Sequence, residues 1–135
     1  VFYDGIQAGL GVVPLDRCSL SVFATVISTS ATGRIIIDAG SKVFALDKGA
    51  HGTEIVKGFG IIKGYPDLVL SRLSEEHGII EFEGKKEKPL PKIGDVLEII
   101  PNHACTVVNL TECLKVIYKD KSIGEWSVAA RGRVT

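Results

Sequence analysis

The stretch LSVFATVISTSATGRIIIDAG, residues 20–40, sets two runs rich in β-branched residues on either side of a Ser-Ala-Thr-Gly linker. Such residues suit a pleated, half-buried surface, and a short linker ending in glycine between two of these runs signals a hairpin. The pattern continues outward. GFGIIKG (58–64) and DLVLSRLS (67–74) follow, broken at Pro66, then HGIIEFEG (77–84) and GDVLEIIP (94–101). LKVIYKD (114–120) and GEWSVAARGR (124–133) close the series. Alternation sets Ile80 and Phe82 against Glu81 and Glu83, and sets Val96 and Ile99 against Asp95 and Glu98. No stretch shows a helical period over roughly 11 residues. Short strands at roughly ten-residue spacing, with 15 glycines for turns and bulges, predict an all-β fold. The expected architecture is a closed or nearly closed β-barrel, one domain over residues 1–135.

Composition narrows the function classes. Sixteen basic and sixteen acidic residues cancel, so no net field draws nucleic acid or an anionic membrane. A barrel that binds single strands wants a basic groove and stacking aromatics, and neither stands out. The lysine-rich segment EGKKEKPLPK (83–92) is interrupted by glutamate and reads as a solvated loop. No apolar run approaches the roughly 18 residues that a membrane span needs, and the first residues lack a signal-peptide pattern. Three cysteines without framework spacing argue against a disulfide-stapled domain and for a cytoplasmic protein. The chain contains no methionine and opens within a pattern, so it is expected to be a piece of a longer protein.

One element carries chemistry. In EIIPNHACTVVNL (98–110), His103 and Cys105 stand two positions apart, just past a predicted strand. On an extended backbone such residues share a face, with α-carbons roughly 6.5–7 Å apart, and can converge on one ion. Two ligands are too few for a structural zinc site, which takes four, so a metal here would keep open positions. The pattern alone is weak. On the pattern alone, a packed cysteine beside a hydrogen-bonded histidine is the better account.

PNHACTVVNL (101–110), RLSEEHG (72–78), IIIDAGSK (35–42) and WSVAARGR (126–133) together resemble, in order, the C-terminal domain of the D-serine dehydratase-like proteins. This family includes the D-threonine aldolases, pyridoxal phosphate enzymes of the alanine-racemase fold type (fold type III). VFYDGIQ (1–7) is similar to the family's passage into its β domain. The resemblance implies an N-terminal TIM-barrel domain whose lysine holds the cofactor, and a homodimer. It also implies a divalent ion bound by His103 and Cys105 beside the cofactor. Cysteine at the second position favours the dehydratase branch and zinc, because a thiolate is a soft ligand. The implied reaction is loss of the β-hydroxyl of a small D-hydroxy amino acid, giving a keto acid and ammonia. Retro-aldol cleavage of the D-threonine aldolase type is the alternative, and a non-catalytic β-barrel interaction module is the reading from a different class. No lysine of this chain is assigned as the Schiff-base residue, so the chain by itself is expected to be silent.

Further residues carry lesser expectations. His77 and Glu76, with Glu75, are candidates for contacts just outside the metal, at a substrate gate or at a domain interface; a polar turn whose Glu and His side chains hydrogen-bond backbone is an equal reading. Asp38 is expected to tie the barrel to a neighbouring domain or to cap the turn at Gly40. Arg131 and Arg133 would share a face if the strand stays extended, or equally would form a solvated chain end. Cys18 and Cys113 are expected to be packed thiols, Trp126 a core anchor and His51 exposed. Tyr3 is given no role. Two residues depart from the resemblance: Thr106 and Ser127 stand where proline is expected.

Overall fold

The computed structural model describes residues 2–30, 33–48, 55–84 and 89–133. His51 and the middle of the lysine-rich segment lie outside them. Six strands close a barrel: β1 (Val22–Thr29), β2 (Ile35–Ile37), β3 (Gly60–Ile62), β4 (Leu68–Leu73), β5 (Gly78–Phe82) and β6 (Val96–Pro101). Their order is β1-β2-β5-β4-β3-β6, with every neighbouring pair antiparallel. Closure removes the exposed edges that an open sheet of six strands would carry. The predicted barrel is therefore present. The shorter β2 and β3 sit inside the predicted runs.

The interior is filled by the alternate residues of each strand. Ala24 and Val26, Ile35 and Ile37, Ile62, Leu68 and Leu70, Ile80, and Leu97 and Ile99 form one buried cluster, closed at one end by Ala39, Phe44 and Phe59. Each fully buried isoleucine or leucine contributes about 1.5–3 kcal/mol by leaving water. β6 corrects one expectation. Its inward pair is Leu97 and Ile99, while Val96 is 60% exposed. Apolar residues sit on both faces of this strand, so composition left its parity open, and the antiparallel pairing of Ala24 with Leu97 fixes it.

Among the described residues, three short α-helices decorate the barrel: α1 (Gly5–Gly9), α2 (Ser41–Phe44) and α3 (Ala104–Leu110). The strand directions place them together. α2 leaves the end of β2, α3 leaves the end of β6, α1 precedes the start of β1, and the β4–β5 turn lies at the same end. Gly40 is required here because a Cβ would collide with the carbonyls of Ser74 and Glu75 in that turn. The amides of Ser41 and Lys42 donate to those same carbonyls at 2.8 and 3.2 Å.

Beyond α3, β7 (Cys113–Tyr118) and β8 (Lys121–Ser127) form a separate two-stranded hairpin. The predicted last strand, 124–133, ends at Ser127. The chain then turns back, with the Val128 amide donating to the Glu112 carbonyl at 2.9 Å. Trp126 is 59% exposed on this hairpin and is not a core anchor. Arg131 pairs with Glu112 at 2.6 Å on the returning segment, so Arg131 and Arg133 do not lie on an extended strand.

Two consequences can be measured. Ile99→Ala should cost about 2–5 kcal/mol in denaturant unfolding through the cavity it leaves. Val96→Ala should stay within about 0.5 kcal/mol; equal losses would contradict the register of β6. Glu98, on the outer face, concerns pH. Burial pushes its carboxyl up, but hydrogen bonds from Lys63 (2.7 Å) and Ser21 (2.8 Å), with the Lys63 charge, outweigh burial and hold it below the usual range. A depressed folded value means stability that is present above the unfolded carboxylate value and lost as pH falls through the folded one. Unfolding followed across the acid range should therefore show a limb of less than about 1 kcal/mol that Glu98→Gln lacks.

Candidate metal centre

β6 ends at Pro101 and delivers Asn102, His103 and Cys105 to the helix-bearing end of the barrel. Asn102 is 1% exposed. Its Nδ2 donates to the carbonyls of Asp47 (3.0 Å) and Gly58 (2.8 Å), and its own carbonyl accepts from the Ile6 amide at 3.1 Å. Gly58 has φ +71°, and a Cβ there would strike the Leu70 carbonyl, so no other residue brings this carbonyl to Asn102 without strain. Asn102 Oδ1 is buried without a partner among the described residues.

The extended His-x-Cys element expected from spacing does not form. His103 is extended (φ −130°, ψ 112°), but the chain turns helical at Ala104, which puts Cys105 in the first turn of α3. The reason lies elsewhere in the chain. Asp4, 6% exposed, accepts the Ala104 amide on Oδ2 at 3.0 Å, while its Oδ1 accepts the Gln7 amide at 3.2 Å. One carboxylate thereby satisfies an orphan N–H of both α3 and α1.

His103 is half-buried at the start of α3, and its Nδ1 lies 3.5 Å from Asp47 Oδ2. The Thr106 hydroxyl lies 2.9 Å from the same oxygen and 3.1 Å from the His103 carbonyl. Asp47 follows Ala45, whose φ of 59° and ψ of −153° approach a region used almost only by glycine, a strain of about 1–3 kcal/mol. Cys105 is exposed with a free thiol. Among the described residues, no group of three or more His, Cys, Asp or Glu is arranged to hold a metal ion.

The remaining candidates fall as follows. His77 and Glu76 are exposed in the β4–β5 turn, where the His77 amide donates to Ser74 Oγ at 3.1 Å and Glu76 pairs with Lys42. The Glu76–Lys42 pair joins this turn to α2, which packs against α3. Asp38 does not cap Gly40. Its Oδ1 accepts the Thr25 amide at 2.6 Å and continues the β1–β2 ladder beyond its bulge. Cys18 is a packed thiol as expected, whereas Cys113 is exposed. A groove of about 770 Å³ between the hairpin and β1 is lined by Phe23, Val107, Leu114, Val116 and Trp126, with Lys63 and Glu98; neither His103 nor Cys105 lines it.

Sequence reading missed Asp47 and Asp4. Asp47 has no local signature. Asp4 has one, since an aspartate followed three residues later by glutamine is the pattern of a capping box.

Residues 19–117 match the family described as "Putative serine dehydratase domain". An uncharacterized protein of Mycobacterium tuberculosis is 36% identical over 134 residues, which are 96% of this chain and 96% of that protein. The D-threo-3-hydroxyaspartate dehydratase of Delftia sp. is 31% identical, over 93% of this chain but only 36% of its own length. The D-threonine aldolase of an Arthrobacter species is 32% identical over 84% of this chain and 27% of its own. Two solved variants of D-threo-3-hydroxyaspartate dehydratase superpose on the chain. A histidine-to-alanine variant gives a TM-score of 0.83 at 29% identity, over 93% of this chain and 35% of its own. A cysteine-to-alanine variant in the metal-free form gives 0.81 at 31% identity, over 93% and 36%. The substituted histidine and cysteine lie two positions apart in that enzyme. The chain spans between about a quarter and just over a third of these enzymes and nearly the whole of the mycobacterial protein.

The thiols provide a check on the site. Burial, then the charges of Asp4 and Asp16, push the Cys18 thiol up, and its Sγ donates to the Asp4 carbonyl at 3.4 Å. A thiol reagent such as Ellman's should therefore label Cys105 and Cys113 quickly in the native protein and reach Cys18 only on unfolding. Rapid labelling of all three would show that the Asp4 region is open.

Proposed function

The chain belongs to the serine dehydratase domain family, and we propose that it is the metal-holding barrel of a pyridoxal phosphate-dependent D-amino acid lyase of the D-serine dehydratase type. The observation that carries this reading is the pairing of His103 with Cys105. The spacing equals that of the histidine and cysteine replaced in the solved dehydratase variants, one of them in a metal-free form. The donor set fits zinc: one imidazole and one exposed, uncommitted thiol. A zinc ion held by these two donors would keep coordination positions free for other ligands. When bound, zinc supplies Lewis acidity toward the departing hydroxyl, and pyridoxal phosphate supplies an electron sink for the α-carbon.

The work of this chain is presentation. Asp4 starts α3 directly after His103, and Asn102 holds the end of β6 against the loops that carry Asp47 and Gly58. The lysine that removes the α-proton belongs to an N-terminal TIM-barrel domain, so this chain alone is inactive. The same reading takes a small D-hydroxy amino acid as substrate, with His77 and Glu76 at a domain interface, in a cytoplasmic homodimer. Among the described residues, no helix is long and apolar enough to cross a membrane.

A second reading is favoured by one observation. The mycobacterial relative is matched over 96% of its length, so a protein of about this size occurs. On that reading the barrel is an interaction module. D-threonine aldolase chemistry is the nearer alternative, and it is distinguished by its product.

The zinc reading predicts that the metal-free chain takes up one zinc ion, and that His103→Ala and Cys105→Ala each weaken binding at least tenfold, about 1.4 kcal/mol. Competition titration with a chromogenic chelator measures this. Binding that is insensitive to both substitutions excludes the site. Supplied with D-serine or D-threo-3-hydroxyaspartate, the full gene product should release keto acid and ammonia. Release of an aldehyde alone would identify the aldolase instead.

A further inference from the structure

We propose that Asp47 is the positioning residue for His103: its carboxylate holds the imidazole as the Nδ1–H tautomer and leaves Nε2 as the outward, ligating nitrogen. The inference deepens the metal reading and rests on it for the function of the outward nitrogen, but not for the tautomer.

Three observations converge on Asp47. Its Oδ2 faces His103 Nδ1 at 3.5 Å, the nearest approach of a carboxylate to the ring among the ion pairs described. The same oxygen is tied at 2.9 Å by the Thr106 hydroxyl, from one turn into α3, so carboxylate and helix move together. The Asp47 carbonyl is held at 3.0 Å by the buried Asn102 amide, the residue that precedes His103. Asp47 is thus fixed through backbone and side chain by the two residues that flank His103 and Cys105.

The strained backbone of Ala45 supports the same conclusion. An alanine at φ 59°, ψ −153° persists only where its surroundings over-determine it, and the contacts two residues later at Asp47 do so. A neutral imidazole presents one donor and one acceptor, and the group bonded to one nitrogen decides which nitrogen is left to bind metal. Carboxylates in this role orient metal-binding histidines, and their loss typically weakens metal binding about 10–100-fold.

The test uses the whole chain in its metal-free form, held at one fixed pH throughout. Nitrogen-15 chemical shifts of His103 report the tautomer directly. The wild-type chain should show Nδ1 protonated and Nε2 bare, and Asp47→Ala should move the population toward Nε2–H. An Nε2–H tautomer in the wild type overturns the proposal, as does an Nδ1–H tautomer that Asp47→Ala leaves unchanged. Should Asp47→Ala fail to fold, Thr106→Val loosens the same carboxylate and should lower the Nδ1–H fraction; an unchanged fraction overturns the bracket.

Zinc titration separates this inference from the one beneath it. A folded Asp47→Ala chain should bind zinc about 10–100-fold more weakly than wild type. Equal affinity in the two refutes the positioning role and leaves the metal reading standing. No zinc uptake by the wild type refutes the metal reading, and the tautomer then decides the role of Asp47 by itself.

Discussion

The buried amide of Asn102 holds the working end of this barrel together. It sits one residue past β6 and spends both of its N–H donors on the carbonyls of Asp47 and Gly58, which belong to segments separated by 11 positions of chain. Its own carbonyl takes the amide of Ile6 in α1. Four pieces of chain are thereby referenced to one residue: the end of β6, the loop after α2, the approach to β3 and the first helix. A buried donor left unmade costs about 1–3 kcal/mol, so these contacts act together in keeping the loops seated. The barrel supplies rigidity, and Asn102 transfers it to residues that lie on no strand.

The barrel was legible because its strands are written in β-branched residues with Gly-bearing turns between them, a signal that survives without any knowledge of neighbours. What escaped was whatever depended on partners distant in sequence. α3 reads ACTVVNL, in which cysteine, threonine and two valines favour strand over helix. The helix forms because Asp4, a hundred residues earlier, caps it, and no local window contains that information. The face of Val96 was misread for a related reason: with Val96–Leu97 and Ile99–Ile100 side by side, only the pairing to β1 decides which residues point inward. Trp126 was misplaced because the hairpin stands outside the barrel, so a large aromatic on a strand did not imply the core.

The candidate site was half legible. His103 and Cys105 stand out by residue type and spacing, and the family resemblance gave them a role. Asp47 does not stand out, since an aspartate in LDKG looks like any turn residue. Its relation to His103 exists only after α2 packs against α3. Thr106, which differs from the proline expected by resemblance, has a use that proline could not fill: its hydroxyl reaches the Asp47 carboxylate.

The double cap at Asp4 bears on where the edge of the domain lies. The matched family region begins at residue 19, fifteen positions after Asp4. A version trimmed to that boundary would keep every barrel strand and both proposed metal ligands. It would also strip the acceptor from the first amide of α3 and remove the helix that seals Asn102. Such a trimmed protein would pass a test for β-structure while misplacing the residues that interest the chemist. The folded unit here starts ahead of the matched region, because the segment before the barrel serves as a splint for the helix that follows it.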